Sequence, residues 1–109
     1  AAPSDNPFFD GNPNSNQSKI WQLGLRNPFR MTVNDDNGQL YIGDVGWTKW
    51  EEVNTGDGGE NFGWVAYEGG NGTNFRTGGY SNLTSVQNFY AREQRGEVTV
   101  TAPIYAFEH

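Results

Sequence analysis

Residues 24 to 54, GLRNPFRMTVNDDNGQLYIGDVGWTKWEEVN, decide the fold. Three short runs rich in β-branched and aromatic residues (FRMTV, QLYIGDV and WEEVN) are separated by turn signals, the pattern of strands in a meander. The turn Asn34-Asp35-Asp36-Asn37-Gly38 joins the first two runs as a tight hairpin, with Gly38 free to take a positive φ. Upstream, IWQLGL from Ile20 reads as one more strand, and downstream Gly56-Asp57-Gly58-Gly59 forms a second turn ahead of NFGW. Residues 20 to 65 are therefore expected to form one antiparallel, four-stranded, all-β meander.

The flanks carry weaker patterns. Residues 1–19 are dominated by Pro, Asn, Asp, Ser and Gly with no period, and predict a long ordered loop pinned by Phe8 and Phe9. Residues 66–97 predict a second long loop with GGNG and TGG clusters; within it SNLTSVQNFYAREQ, 81–94, is compatible with loop or with a short helix. VTVTAPIYAF, 98–107, predicts a strand that runs to His109 with no closing turn, so the chain is expected to be cut from a longer one.

Composition excludes several function classes. Only 34% of the 109 residues are hydrophobic, yet 15% are aromatic, and 15 Gly with 5 Pro supply turn positions, a profile that favours β structure over a helix bundle. Thirteen acidic against seven basic residues give a net charge of −6, and the basic residues form no run, so a nucleic-acid partner is not expected. No long apolar or basic amphipathic stretch points to membrane insertion. With no cysteine and one histidine, a zinc or copper site within one chain lacks ligands. Asn16-Gln17-Ser18, Asn71-Gly72-Thr73 and Asn82-Leu83-Thr84 match the N-glycosylation triplet, a match of chance frequency in an Asn-rich chain.

The order RNP (26–28), GDVG (43–46), WEE (50–52) and NFGW (61–64), followed by EGG, resembles the family of soluble glucose and aldose (sorbosone-type) dehydrogenases that depend on pyrroloquinoline quinone (PQQ), with its hedgehog-interacting relatives. The resemblance implies a six-bladed β-propeller of four-stranded antiparallel blades, of which this chain would supply a partial ring. Residues 1–19 would be an inter-blade loop, 20–65 one blade, 66–97 a long loop and 98–109 the first strand of the next blade. It further implies PQQ and calcium as cofactors, a sugar ligand, the remainder of the propeller as partner, and an extracellular or periplasmic location.

Carried residue by residue, the resemblance makes Arg26 and Asn27 quinone contacts. A guanidinium offers a planar fork to carboxylates and offsets negative charge on a quinone oxygen. The alternative is that Arg26 pairs with Asp44 and pins two strands. Gly46 and Trp47 would lend backbone carbonyls to the cofactor's calcium, an ion that accepts neutral oxygens. Trp47 stands where the glucose-dehydrogenase branch has proline, and Phe29 where it has a polar contact. Trp47 is also readable as a wall for a sugar ring or as a packing residue.

Adjacent Glu51 and Glu52 in a strand point to opposite faces and cannot work as a catalytic pair. Glu52, with the Phe62 carbonyl, is implied as a second, structural calcium site; the alternative is a solvated carboxylate on an edge strand. His109, the one histidine, reads as structural, since the family's catalytic histidine precedes the RNP segment. No catalytic residue is assigned. The implied function is thus a cofactor-facing piece of a sugar dehydrogenase, inactive by itself. The rivals are a non-catalytic propeller segment that binds protein or carbohydrate and a module of an extracellular assembly.

Overall fold

A computed structural model of the chain describes residues 1–47 and 49–108; Thr48 and His109, and with the latter any role for that histidine, lie outside the described residues. Four strands, β1 (Pro28–Val33), β2 (Leu40–Val45), β3 (Trp50–Gly56) and β4 (Tyr105–Glu108), form one antiparallel sheet in that spatial order. The architecture is compatible with a single propeller blade. The β1–β2 hairpin closes as expected. Gly38 takes φ 72° and donates its N–H to the Asn34 carbonyl at 2.7 Å. The Asn34 and Asn37 side chains accept the N–H groups of Asp36 and Gln39, which locks the turn.

Burial alternates along the inner strands with the period of two that a sheet imposes. Ile42, Asp44, Glu52, Asn54 and Ala106 are buried on one face, and the register sets Ile42 opposite Asn54 and Asp44 opposite Glu52. That face lies under the segment following β3, which reaches it through Gly69 on Glu52 and Asn71 on Ala106. The other face keeps Phe29, Tyr105 and Phe107 exposed, with the Phe29 ring lying over Gly43.

A second small core forms beside the sheet. Helix α1 (Thr84–Gln94) turns Val86 and Tyr90 onto Ala66, with Val65, Tyr67, Tyr80 and Phe89 around them. Eleven residues are too few for a stable isolated helix, so this docking holds it. The Tyr90 hydroxyl donates to the Ala66 carbonyl at 2.5 Å, and the Arg76 guanidinium stacks 3.9 Å from the Tyr90 ring centre. Gly96, at φ 78°, ends the helix.

Three expectations are corrected. Residues 20–65 hold three strands, not four: from the Ile20 run only Leu23 pairs, in an isolated bridge to Asn61. Gly24 turns the chain there at φ 81°, so close to the next segment that a Cβ would stand 2.5 Å from the Gly63 nitrogen. The fourth strand is β4, which pairs with β3 rather than opening a next blade. Within 98–104 no strand forms, because Thr101 donates to Asn61 and the buried Pro103 has no N–H to give a ladder. The 66–97 loop contains α1, the helical alternative for 81–94.

Candidate functional site: the loop end shared by strands β1 and β2

Antiparallel pairing puts the entry to β1 and the exit of β2 at one end of the sheet, with Pro28 opposite Asp44. This brings together four residues singled out from the sequence: Arg26, Asn27, Gly46 and Trp47. Asp44, 4% exposed, accepts the backbone N–H of Arg26 at 3.1 Å and of Asn27 at 2.6 Å. The Arg26 side chain reaches elsewhere. Its Nη1 donates to the carbonyls of Val45 at 3.1 Å and Gly46 at 3.2 Å. The expected alternative, an Arg26 guanidinium hydrogen-bonded to Asp44, is therefore corrected: the carboxylate holds the Arg26 backbone, and the guanidinium holds the β2 exit.

Around the guanidinium stands a chain of aromatic rings. Its carbon lies 5.9 Å from the Trp64 ring centre, Trp64 meets Tyr80 edge-on at 5.7 Å, and Tyr80 meets Trp47 at 4.8 Å. Arg26, Asn27 and Trp47 are exposed. Glu68 fixes the far side of the loop: its Oε2 accepts the Trp47 N–H at 3.0 Å and its Oε1 the Trp50 N–H at 3.2 Å. Gly46 has no substitute, since a Cβ there would stand 2.0 Å from the Trp50 carbonyl oxygen.

Glu52 departs from the solvated edge-strand alternative. It is buried on β3, between β2 and β4, with Oε1 accepting from Asn54 at 3.0 Å and Oε2 from the Gly69 N–H at 2.5 Å. Burial foremost raises the carboxyl groups of Asp44 and Glu52 above the ordinary carboxylate range. The N–H groups of Arg26 and Asn27, and for Glu52 that of Gly69, pull the other way. Phe62 is buried and donates its N–H to Leu23.

Fit to the implied cofactors differs by site. A planar, multiply carboxylated quinone suits an exposed guanidinium among aromatic rings. At Gly46 the carbonyl already accepts from Arg26, so a cation there competes with a guanidinium. At Glu52 the fit is better: the buried Asn54 Oδ1 has no protein partner, and a carboxylate beside an orphaned carboxamide oxygen is a hard-oxygen set. Among the described residues no three His, Cys, Asp or Glu side chains gather to hold a metal.

Three site residues escaped the sequence reading: Glu68, Trp64 and Tyr80. Glu68 and Trp64 lie inside EGG and NFGW, so the motifs marked them without revealing their partners. Of the glycosylation triplets, Asn71 is committed to structure, its amide donating to the Ala106 carbonyl and accepting the Ala106 N–H.

The family model for glucose/sorbosone dehydrogenases matches residues 1–100. The HIPL2 and HIPL1 proteins of Arabidopsis thaliana are 44% and 38% identical over 68 residues, 62% of this chain and 10% of each relative. The aldose sugar dehydrogenase YliI of Escherichia coli (strain K12) is 34% identical over 62 residues, 57% of this chain and 16% of that protein. The chain thus spans a small part of these relatives. No solved structure matches. The family match over nearly its whole length makes this chain a member of the glucose/sorbosone dehydrogenase family.

Proposed function

We propose that the chain supplies the cofactor-facing loop end of one blade in a PQQ-dependent, sugar-oxidising propeller. The observation that carries this reading is the exposed Arg26 guanidinium, held by the carbonyls of Val45 and Gly46 and flanked by Trp64, Tyr80 and Trp47. Arg26 would turn from these carbonyls to bind a cofactor carboxylate, and Asn27 beside it would orient the ring. PQQ, when bound, supplies the quinone that accepts a hydride. Calcium would take the Gly46 and Trp47 carbonyls once the guanidinium turns to the cofactor, and a second ion would take Glu52 with Asn54 and the Phe62 carbonyl.

The rest of the propeller would cover Phe29, Tyr105 and Phe107, an apolar sheet face that costs free energy while exposed to water. By itself the chain would turn over no sugar, because neither Arg26 nor Asn27 is a base able to take the hydroxyl proton. An extracellular or periplasmic location belongs to the same reading; among the described residues no helix is long and apolar enough to cross a membrane.

Titration of PQQ absorbance with the chain and with R26A tests the proposal. Saturable binding weakened about tenfold in R26A, the loss of one charge-assisted contact, supports it. Equal binding by R26A overturns it. A second reading, a non-catalytic segment that binds protein or carbohydrate, draws on Phe29 and Trp47, both exposed where the glucose-dehydrogenase branch has polar and proline residues. No PQQ binding at all favours that reading.

A further inference from the structure

The sheet has two edges, and the chain closes one of them. On β4 the Asn71 carboxamide donates to the Ala106 carbonyl at 3.1 Å and accepts the Ala106 N–H at 2.6 Å, so a side chain stands where a next strand would pair. On β1 nothing does this. All six residues of β1 are exposed, with Met31 61% and Val33 52% accessible. We infer that the free edge of β1 is a self-association site, where a second copy of this chain adds its own β1 antiparallel about a two-fold axis.

The hydrogen-bond alternation of an antiparallel pair says which groups are on offer. Asn34 donates its N–H to the Gln39 carbonyl at 2.8 Å, which makes Val33 with Leu40, and then Met31 with Ile42, the pairs that exchange no hydrogen bond. The N–H and C=O groups of Met31 and Val33 therefore point away from β2, and among the described residues no loop or side chain takes them. An unpaired run of this kind invites another strand. The register break between Pro28 and Arg30 bends the strand entry, which leaves residues 30–33 as the regular stretch open to pairing.

One register suits both the backbone and the side chains. With Thr32 on the axis opposite the partner's Thr32, Met31 of each copy exchanges backbone hydrogen bonds with Val33 of the other. Met31 and Val33 then cover each other, and the threonines form a favourable cross-strand pair. Arg30 falls opposite the partner's Asn34, at the start of the turn that carries Asp35 and Asp36. Arg30, Asp35 and Asp36 have no ionic partner within one chain among the described residues, whose ion pairs are those of Lys49, Arg92 and Arg95. The two-fold makes this contact of cation with acids on both sides of the axis. A register centred on Met31 would draw on Phe29 at the break and take Arg30 away from the acids. The ladder is short, so the dimer is expected to be reversible and concentration-dependent. Nothing in this pairing depends on a cofactor.

Sedimentation equilibrium from micromolar to millimolar chain gives the test. The parent should pass reversibly from monomer to dimer. The Met31 and Val33 amides should gain hydrogen-exchange protection as concentration rises, while those of Arg30 and Thr32, already turned to β2, change little. T32K sets two lysines opposite each other on the axis and should weaken association at least about tenfold. R30E and D35K/D36K should each weaken it about fivefold alone and recover when mixed, because the mixture restores opposite charges at both contacts. All these positions are exposed, so far-ultraviolet dichroism should stay at the parent's. A parent that stays monomeric, association untouched by T32K, or a mixture no better than its components overturns the inference. Association kept in T32K but lost in F107S places the contact on the apolar sheet face and overturns it equally.

Discussion

The Asp44 carboxylate accepts the Asn27 N–H at 2.6 Å and so ties the start of β1 to a strand that runs the opposite way. Its second oxygen takes the Arg26 N–H, leaving the arginine side chain free to reach Val45 and Gly46. D44A strands two N–H groups, and each unsatisfied group costs about 1–3 kcal/mol if water cannot reach it. Urea denaturation should show a loss of at least about 1 kcal/mol in D44A, with D44N in between because it keeps one acceptor. A D44A midpoint equal to the parent's would show that the loop is held without this carboxylate.

Stability should fall as pH rises from mildly acidic to neutral. Asp44 and Glu52 have folded-state values raised above their unfolded ones, chiefly by burial, so folding favours their protonated forms. That contribution is complete below the unfolded values, about 4, and is lost as pH climbs through the raised folded values. Asp10 runs the other way: hydrogen bonds, the Asn12 N–H foremost, lower its carboxyl, and its contribution is lost only in stronger acid. Thermal midpoints across pH 4 to 7 check the sign. E52Q should flatten the decline, and a midpoint climbing steadily toward neutrality would contradict it.

Asn71 clasps Ala106 from 35 residues away in sequence, through both its amide nitrogen and its carbonyl oxygen. As β4 is four residues long, this clasp is a large share of its attachment. N71A should release β4 ahead of the other strands. Hydrogen exchange would show the Ala106 and Phe107 amides losing protection while Ile42 and Asn54, paired with each other across β2 and β3, keep theirs; uniform protection in the variant would refute the role.

Two glycines separate backbone strain from steric contact. Gly38 takes φ 72° with open space where a Cβ would go, so G38A should cost about 1–2 kcal/mol, the price of a left-handed alanine. Gly69 takes φ 82° and supports the Trp50 ring at 2.5 Å, so G69A should cost more and should shift tryptophan fluorescence as the ring moves. Equal losses in the two variants, with an unchanged spectrum, would mean that Trp50 does not rest on Gly69.

Local pattern alone determined the strands β1 to β3, the hairpin at Gly38 and the opposite orientation of Glu51 and Glu52. Alternation and turn chemistry are properties of neighbouring residues, which the chain carries however it is folded. Motif order was also enough to bring Arg26, Asn27, Gly46 and Trp47 to one end of the sheet, since antiparallel pairing follows from the hairpin. Tertiary structure alone decided which run completes the sheet. Ile20–Leu25 and Tyr105–Glu108 are alike in apolar content, but Gly24 turns the first away while Asn71 clasps the second onto β3. It also decided the partners of the buried carboxylates. Asp44, Glu52 and Glu68 each take backbone N–H groups lying 17 to 21 residues away in sequence, a distance at which no periodicity operates and only packing selects the donor.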